Sequence, residues 1–580
     1  MTETLPEPAL IWQFRETDTS AADSLSAALG LTPLVARLLV NRGVSDVEEA
    51  TRFLDPRMDH LHDPYTLPDV EKAVTRLALA IEKGEKIFLH GDYDADGVTS
   101  TALCLRALTV LGANVTGFVP RRTDGYDLQR PGVDRAHAMG ATLIMTADCG
   151  SCAIEPIRYA NSRGIDVVVT DHHRPGPELP PAHAIVNPYR EDCERPPFRE
   201  LCGAGVAFKV LDALVERLQP MHRTAFRRQF VDLVALGTVA DVTPLRGENR
   251  VFVTYGLRAL AEGKKAGLRA LMISMDMMGR TLDTESISWK LGPRLNAAGR
   301  MEDADLAFRL LVTKDPEEAT QLALELGLLA ERSRDETARV TTEAMADALS
   351  GEHDGRRVLV LAREAWGKGV IGIAANRIVD HCRRPVILLS HDKHNDLYVG
   401  SARTYGTFNL HTALHGCSEL LERFGGHSAS AGVSLKPANL AAFRDKIHDL
   451  AEGFISDEPI AATLDIDAEV ESGTELSFAM VEQMQRLAPF GKENPEPVLA
   501  TRGAVVQSSR RCGKDNNTCQ LHLLLPGLTN SIKAVWFRNG EWADRLEMGD
   551  TVDIAYTPKI NEWRGSANVE LSLKDIRAGE

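Results

Sequence analysis

Residues Ile87-Phe88-Leu89-His90-Gly91-Asp92-Tyr93-Asp94-Ala95-Asp96-Gly97 decide how this chain is read. A short apolar run ends abruptly in three carboxylates at alternate positions. That is the pattern of a buried strand leaving a sheet at its carboxyl end. Three acids in one turn repel each other strongly unless something positive sits among them. A calcium loop of the EF-hand kind does not fit, because the later Glu and the flanking helices are missing. Taken alone, the stretch also reads as a solvated acidic turn.

The same pattern repeats further along. Thr142 to Thr146 is apolar and runs into Ala147-Asp148-Cys149-Gly150, and Val167 to Thr170 runs into Asp171-His172-His173. Between and around them lie a helix through Val70, Ala73, Val74, Leu77 and Ile81 closed by Gly84, a helix from Thr99 to Leu111, and a strand from Val115 to Val119. Helices at Ala204–Leu218 and Phe230–Leu236 follow, the second running into Asp241. Repeated strand–helix units predict a mostly parallel sheet with helices on both faces. Ligands of such sheets gather beyond the carboxyl ends of the strands, where these acids and imidazoles can converge.

Carboxylates with one or two imidazoles suit manganese or magnesium, and the lack of a thiolate cluster argues against structural zinc. Cys149 and Cys152 form a CxxC with no second pair at sensible spacing and are read as coincidence. Two divalent ions ~3.5–4 Å apart clamp the attacking and leaving oxygens of a phosphoryl displacement and acidify a bound water. No Gly-x-Ser-x-Gly elbow supports a serine hydrolase, and no phosphate-binding G-x-x-x-x-G-K-[ST] loop supports an ATP-driven motor. Metal-assisted phosphodiester hydrolysis leads.

At 580 residues and 63.4 kDa the chain exceeds one core, and ~150 residues per domain predicts about four. Hydrophobic residues at 44% and charged residues at 26% exclude a disordered or fibrous chain. No stretch approaches the ~20 apolar residues of a membrane span, so no membrane association is expected. The acidic first residues carry no export signal, which predicts reduced cysteines and a cytoplasmic protein. A net charge of −16 argues against a broad basic surface for duplex DNA. It permits a local basic groove, or a site where metal ions supply the positive charge.

The expected architecture is a multidomain α/β chain. Residues 1–60 form a helical cap, with a helix opened by Thr32-Pro33 and stopped by Gly43, then a capping box at Ser45-Asp46-Val47-Glu48. Residues 61–270 form the parallel-sheet domain and residues 271–350 a long connecting helical region, broken near Asp315-Pro316. Residues 351–457 make a smaller α/β domain. Residues 458–580 make a small antiparallel barrel of short alternating runs. Trp536, Phe537 and Trp563 in that barrel are either stacking platforms for bases or barrel core.

In their order, Asp92-x-Asp94-x-Asp96, Asp148, Asp171-His172-His173 and Asp241 resemble the motif set of the DHH phosphoesterase superfamily. Gly425-Gly426-His427 followed by Ala431-Gly432 is similar to its second, DHHA1-type domain. The barrel-like tail is similar to the OB-fold-like domain of the bacterial RecJ branch, single-strand-specific 5′→3′ DNA exonucleases of recombination and repair. The likeness covers nearly the whole chain, and the ordered set is far more specific than Asp-His-His alone.

The resemblance implies roles. Asp94, Asp96, Asp148, His172 and Asp241 would be the inner ligands of two Mn2+ or Mg2+ ions. Asp92, His90 and His173 would be outer or occasional ligands, with His173 also contacting the scissile phosphate. Asp171 would orient its neighbouring imidazole. Arg121, Arg300, Ser401 and Arg403 match positions that hold DNA phosphates, the last two forming a pocket for the 5′-terminal phosphate, and His427 would help bind the strand. Arg supplies the planar fork of donors that phosphate oxygens need. The pattern bends at Lys368, where a His is expected. A single-strand-binding protein and a helicase are the partners implied, and a monomer is the default. Two other readings stand beside this one: a non-hydrolytic nucleic-acid-binding scaffold, and a phosphoesterase for small substrates such as pyrophosphate or very short oligonucleotides.

Overall fold

The computed structural model describes residues 10–125, 127–301, 304–353, 355–452, 463–563 and 566–579. The chain divides into two units. One comprises Pro64–Asp241 and Gly256–Ile460, the other Met1–Asp63, Val242–Tyr255 and Ala461–Glu580.

In the larger unit the apolar runs form a five-stranded parallel sheet. Its order is Asn114–Phe118, Lys86–His90, Leu143–Thr146, Asp166–Thr170 and Ala184–Val186. From Lys86–His90 the chain first crosses to one side and then returns to the other. The strand order therefore reverses between Lys86–His90 and Leu143–Thr146, the place where such sheets open a crevice. Phe88, Ile144, Val167 and Val169 pack on one face against Leu128, Val133 and Ile157. On the other side the Ala95–Val110, Gly203–Leu218 and Arg223–Ala240 helices pack against one another.

Two boundaries differ from the sequence reading. The helix expected from Thr99 begins at Ala95, because Asp94 caps it, accepting from Gly97 N at 3.0 Å. Asp96 thus sits in a helical first turn rather than in a free acidic loop. The helix expected at Phe230–Leu236 spans Arg223–Ala240, its exposed first turns carrying no apolar period.

A continuous helical stretch through Ser286–Leu291, where the winding widens to a π-helix, and Gly292–Arg300 is followed by helices Ala304–Val312 and Pro316–Ala348. The break falls at Asp315-Pro316, Asp315 capping Glu317 N. A second, mixed sheet follows in the order Arg423–Gly426, Ser430–Leu435, Leu397–Arg403, Val386–Asp392 and Leu359–Arg363. The Ile371–Cys382 helix covers it.

In the other unit the strands Leu499–Cys512, Thr518–Leu524, Ile532–Phe537, Ser566–Ala578 and Thr551–Trp563 close into a barrel, the first pairing with the last. The cap helices Thr19–Leu29, Pro33–Val40 and Val47–Leu54 share its core: Leu25, Val35, Leu38 and Leu39 pack in one cluster with Leu499, Leu521 and Tyr556. The third cap helix is capped by Asp46, which accepts from Glu48 and Glu49 N, and not through Ser45. Trp536 is buried in this core against Trp542, whereas Phe537, the next residue along the pleat, is 64% exposed. The side chain of Trp563 lies outside the described residues. Among the described residues no helix is long and apolar enough to cross a membrane.

Candidate metal centre and phosphate-binding groups

Four segments deliver their side chains to one rim of the parallel sheet. Asp92, Asp94 and Asp96 follow the Lys86–His90 strand, Asp148 follows Leu143–Thr146, and Asp171 to His173 follow Asp166–Thr170. Asp241 ends the Arg223–Ala240 helix. Three triads have ligand atoms within 4.8 Å of one another: Asp92–Asp94–Asp148, Asp96–His172–Asp241 and Asp148–His172–His173. The first two share no residue, so the rim carries donors enough for two ions, and the third joins them.

Their hydrogen bonding leaves this rim short of positive charge. His172 Nε2 lies 3.1 Å from Asp148 Oδ1 and 3.8 Å from both Asp96 Oδ2 and Asp241 Oδ2. The short approach lacks hydrogen-bond geometry, and Asp92 Oδ1, Asp148 Oδ1 and His172 Nε2 are all buried without a hydrogen-bond partner among the described residues. Buried polar atoms left unpaired are costly. Burial and then Asp94 raise the Asp92 pKa to about 8 and that of Asp96 to about 6. Burial and the charges of Asp96, Asp94, Asp92 and Asp241 push Asp148 well above the carboxylate range. Burial holds His172 near neutral form, its pKa lowered to about 4 with help from His173. Hard oxygen donors with one neutral imidazole fit manganese or magnesium.

Asp171 has a different job. It accepts from Ser151 N, His172 N, His173 N and His173 Nδ1 at 2.8–3.1 Å. Burial alone would raise its pKa, but these donors and the His173 charge outweigh burial and lower it. The same pair acts on His173, where burial is outweighed by Asp171 and the pKa rises to about 9.

Asp96 is held from below by a helix end. Gly203 N and Ala204 N, opening the Gly203–Leu218 helix, donate to it at 2.6 and 3.0 Å. Such termini favour negative charge. Gly203 leaves no room for a side chain beside Asp148, nor Gly237 beside Asp96. His90 is placed elsewhere: it belongs to none of the triads, and its ring packs edge-on to Phe118 and beside Cys149 Sγ. All nine cysteines are free.

The cationic candidates divide. Arg300, at the end of the Gly292–Arg300 helix, is close enough to Asp94 and Arg122 to feel both charges. Arg403 donates to Ser401 Oγ and Ala402 O, each at 2.7 Å, and Gly372 in the first turn of the Ile371–Cys382 helix lies against both. Burial lowers the Arg403 pKa, and among the described residues no carboxylate answers its charge. A half-buried guanidinium, a hydroxyl and a helix N-terminus together suit a phosphate. Arg121 is exposed, its backbone N bonded to Asp124. His427 is exposed on the turn joining Arg423–Gly426 to Ser430–Leu435. Lys368 is paired with Asp392 at 2.7 Å.

Two contributors escaped the sequence reading. Asn296 Oδ1 accepts from Ala95 N and so pins the acidic loop at 2.9 Å. Asn187 Nδ2 holds Ser151 Oγ and His173 O, each at 2.7 Å. Asn296 was legible only as part of Asn296-Ala297-Ala298-Gly299-Arg300, and Asn187 gives no local signal.

Comparisons with known proteins follow the same layout. The family described as DHH family, N-terminal domain, matches residues 86–238, the DHHA1 domain residues 355–453, and the RecJ OB domain residues 466–575. The single-stranded-DNA-specific exonuclease RecJ of Bacillus subtilis is 35% identical over 98% of this chain and 71% of its own length. That of Escherichia coli is 33% identical over 97% of this chain and 99% of its own. The crystal structure of RecJ in complex with Mn2+ from Thermus thermophilus superposes with a TM-score of 0.81 at 31% identity, covering 98% of this chain and 80% of that one. The Mg2+ complex from the same organism gives 0.75 at 28%, over 98% and 79%. The DHH, DHHA1 and RecJ OB matches follow one another along the chain that carries this acidic rim, the Ser401–Arg403 pair and the closed barrel, and the chain belongs to the RecJ family of single-stranded-DNA-specific exonucleases.

Proposed function

We propose that this protein is a divalent-metal-dependent exonuclease that removes nucleoside 5′-monophosphates from the 5′ end of single-stranded DNA, in recombination and repair. One observation carries the reading: among the described residues, Asp92 Oδ1, Asp148 Oδ1 and His172 Nε2 are buried and without a hydrogen-bond partner at a single sheet rim. Asp94, Asp96, Asp148, His172 and Asp241 would hold two Mn2+ or Mg2+ ions, Asp148 being common to two of the triads. Bound there, the ions supply a water acidified for attack and positive charge against the phosphate.

The chain's own groups do the rest. Asp171 binds His173 Nδ1 and keeps the ring protonated near neutral pH, so that its Nε2–H is a donor for a phosphoryl oxygen. Asp171 orients the ring as well as charging it. Ser401, Arg403 and the Gly372 backbone receive the 5′-terminal phosphate and set how far the strand enters. Arg300, facing Asp94, steadies the next phosphate, and Arg121 and His427 serve the strand outside the rim. Asp92, which forms a triad with Asp94 and Asp148, would be a further ligand, and His90, packed against Phe118 and Cys149, lies outside the triads. The arrangement of residues 1–60, 61–270, 271–350, 351–457 and 458–580 as cap, catalytic domain, connecting helices, second domain and strand-binding barrel is part of the same reading. So are a monomeric, cytoplasmic enzyme and partnership with a single-strand-binding protein and a helicase.

The test compares nucleotide release, with Mn2+ supplied, from a 5′-phosphorylated single strand, the same strand with a 5′-hydroxyl, a blunt duplex and a dinucleotide. Mononucleotides released from the 5′ end of the phosphorylated strand, with the duplex resistant, are expected. Preference for the dinucleotide would favour a small-substrate phosphoesterase, and binding without release a scaffold.

A further inference from the structure

The widened turn Ser286–Leu291 carries Trp289, 77% exposed. Tryptophan seldom stands so far into solvent, and an exposed one with no partner marks a contact surface more often than an accident. Among the described residues its indole Nε1 has no acceptor and its ring no aromatic or cationic neighbour. π-helical turns are rare and concentrate at functional sites.

The helix that carries Trp289 walls the metal site. Gly292 lies against Ala240, the residue before Asp241, so that a side chain built there would stand 3.4 Å from Ala240 Cβ. Asn296 pins the acidic loop through Ala95 N. Arg300 ends the helix within reach of Asp94 and Arg122. Trp289, Pro293, Asn296 and Arg300 follow each other at steps of four, three and four residues. They form one stripe in which every member is at least partly exposed, while Leu291, Leu295 and Ala298 between them are buried. Trp289 thus stands about 16 Å along the helix from Arg300, on the stripe that faces the site. Exposed Lys290 is its neighbour in sequence and adds positive charge beside it.

From this stripe we infer that Trp289 is a stacking platform for a base of the single strand, a few nucleotides to the 3′ side of the scissile phosphate. The direction follows from the 5′ end being stopped at Ser401 and Arg403, so the inference rests on the exonuclease reading. Base stacking on an aromatic ring is sequence-tolerant and suits an enzyme that must accept any strand.

The experiment measures kcat/KM for the full-length protein with Mn2+ on 5′-phosphorylated strands from two to about twenty nucleotides, for the wild type, Trp289→Ala and Trp289→Phe. Trp289→Ala should lower kcat/KM on the long strands by about ten-fold, leave the dinucleotide unchanged, and flatten the gain with length. Trp289→Phe should recover most of the loss. Quenching of tryptophan fluorescence by an unlabelled strand, measured in EDTA to prevent cleavage, should shrink in Trp289→Phe. An equal loss on dinucleotide and long strand, or none on either, overturns the platform while leaving the exonuclease reading intact. A wild type that releases nothing from single strands overturns that reading instead.

Discussion

At the scale of single residues, the rim is a set of acids that the fold brings together at an electrostatic cost. Asp148 sits at the centre of that cost: it is buried, has φ 67°, and is surrounded by four other carboxylates. Asp148→Asn should relieve repulsion and therefore keep or raise the melting temperature, while lowering turnover by at least ~100-fold, since metal sites that lose even an outer group lose 10–100-fold. Calorimetry and nucleotide release check the two halves, and undiminished turnover would remove Asp148 from the site. A pH effect follows from the same acids. Asp92 and Asp96, with pKa raised to about 8 and about 6, hold protons in the fold that the unfolded chain has lost above ~4. Their contribution to stability without metal therefore falls as pH rises through that window. His173, raised to about 9, adds stability below ~6.5 that fades as pH climbs through its folded value. His172, lowered to about 4, works the other way, but only below ~6.5. Between pH 6.5 and 8 the shifted groups whose stability contribution still changes pull one way. The rise in melting temperature on adding Mn2+ should be larger at pH 8 than at pH 6.5, and a rise that shrinks with pH would contradict it.

At the scale of elements, three helix ends meet around Asp96: the first turn of Ala95–Val110, the first turn of Gly203–Leu218, and the last turn of Arg223–Ala240. Gly237 lets the third come close, since a Cβ there would strike the Asp96 carboxylate and crowd Ala204 and Thr99. Gly237→Ala should weaken Mn2+ binding by about ten-fold and cost ~1–3 kcal/mol of stability through overpacking. Isothermal titration and urea melts measure the two, and unchanged metal affinity would show that Asp96 does not need its present position. Much of this was legible in the sequence, because strand, acid and helix follow one another locally in Ile87 to Gly97. The start of the helix was not. Asp96 and Gly97 are poor helix formers, and only the bond from Gly97 N to Asp94 shows that the turn is already helical. The partners of Asn187 and Asn296 were hidden for another reason: each acts on residues distant in sequence.

At the scale of the whole molecule, distance along the chain again limits what a sequence reveals. Ile11–Phe14 pairs in parallel with Thr463–Ile466, and the first cap helices share a core with the barrel, neither of which any local pattern announces. The barrel strands themselves were readable from their alternation, whereas Trp536 and Phe537 stayed open between base stacking and barrel core until the fold put these pleat neighbours on opposite sides. Arg250 ties this unit together. It is buried with no carboxylate partner among the described residues, lies over the Phe53 ring, and donates to Phe53 O, Arg486 O, Leu487 O and Ala488 O at 2.6–3.1 Å. Burial lowers its pKa to about 9. Arg250→Met would strand those carbonyls, and a loss of ~3 kcal/mol is expected in urea unfolding followed by Trp536 emission. An unchanged midpoint would mean that water replaces the guanidinium without cost.

The most direct measurement is anomalous scattering from crystals of the wild-type protein grown or soaked with Mn2+. Two peaks about 4 Å apart are predicted at the sheet rim, one among Asp92, Asp94 and Asp148 and one among Asp96, His172 and Asp241. Peaks on other surfaces, or none at the rim at saturating Mn2+, would contradict a two-ion nuclease.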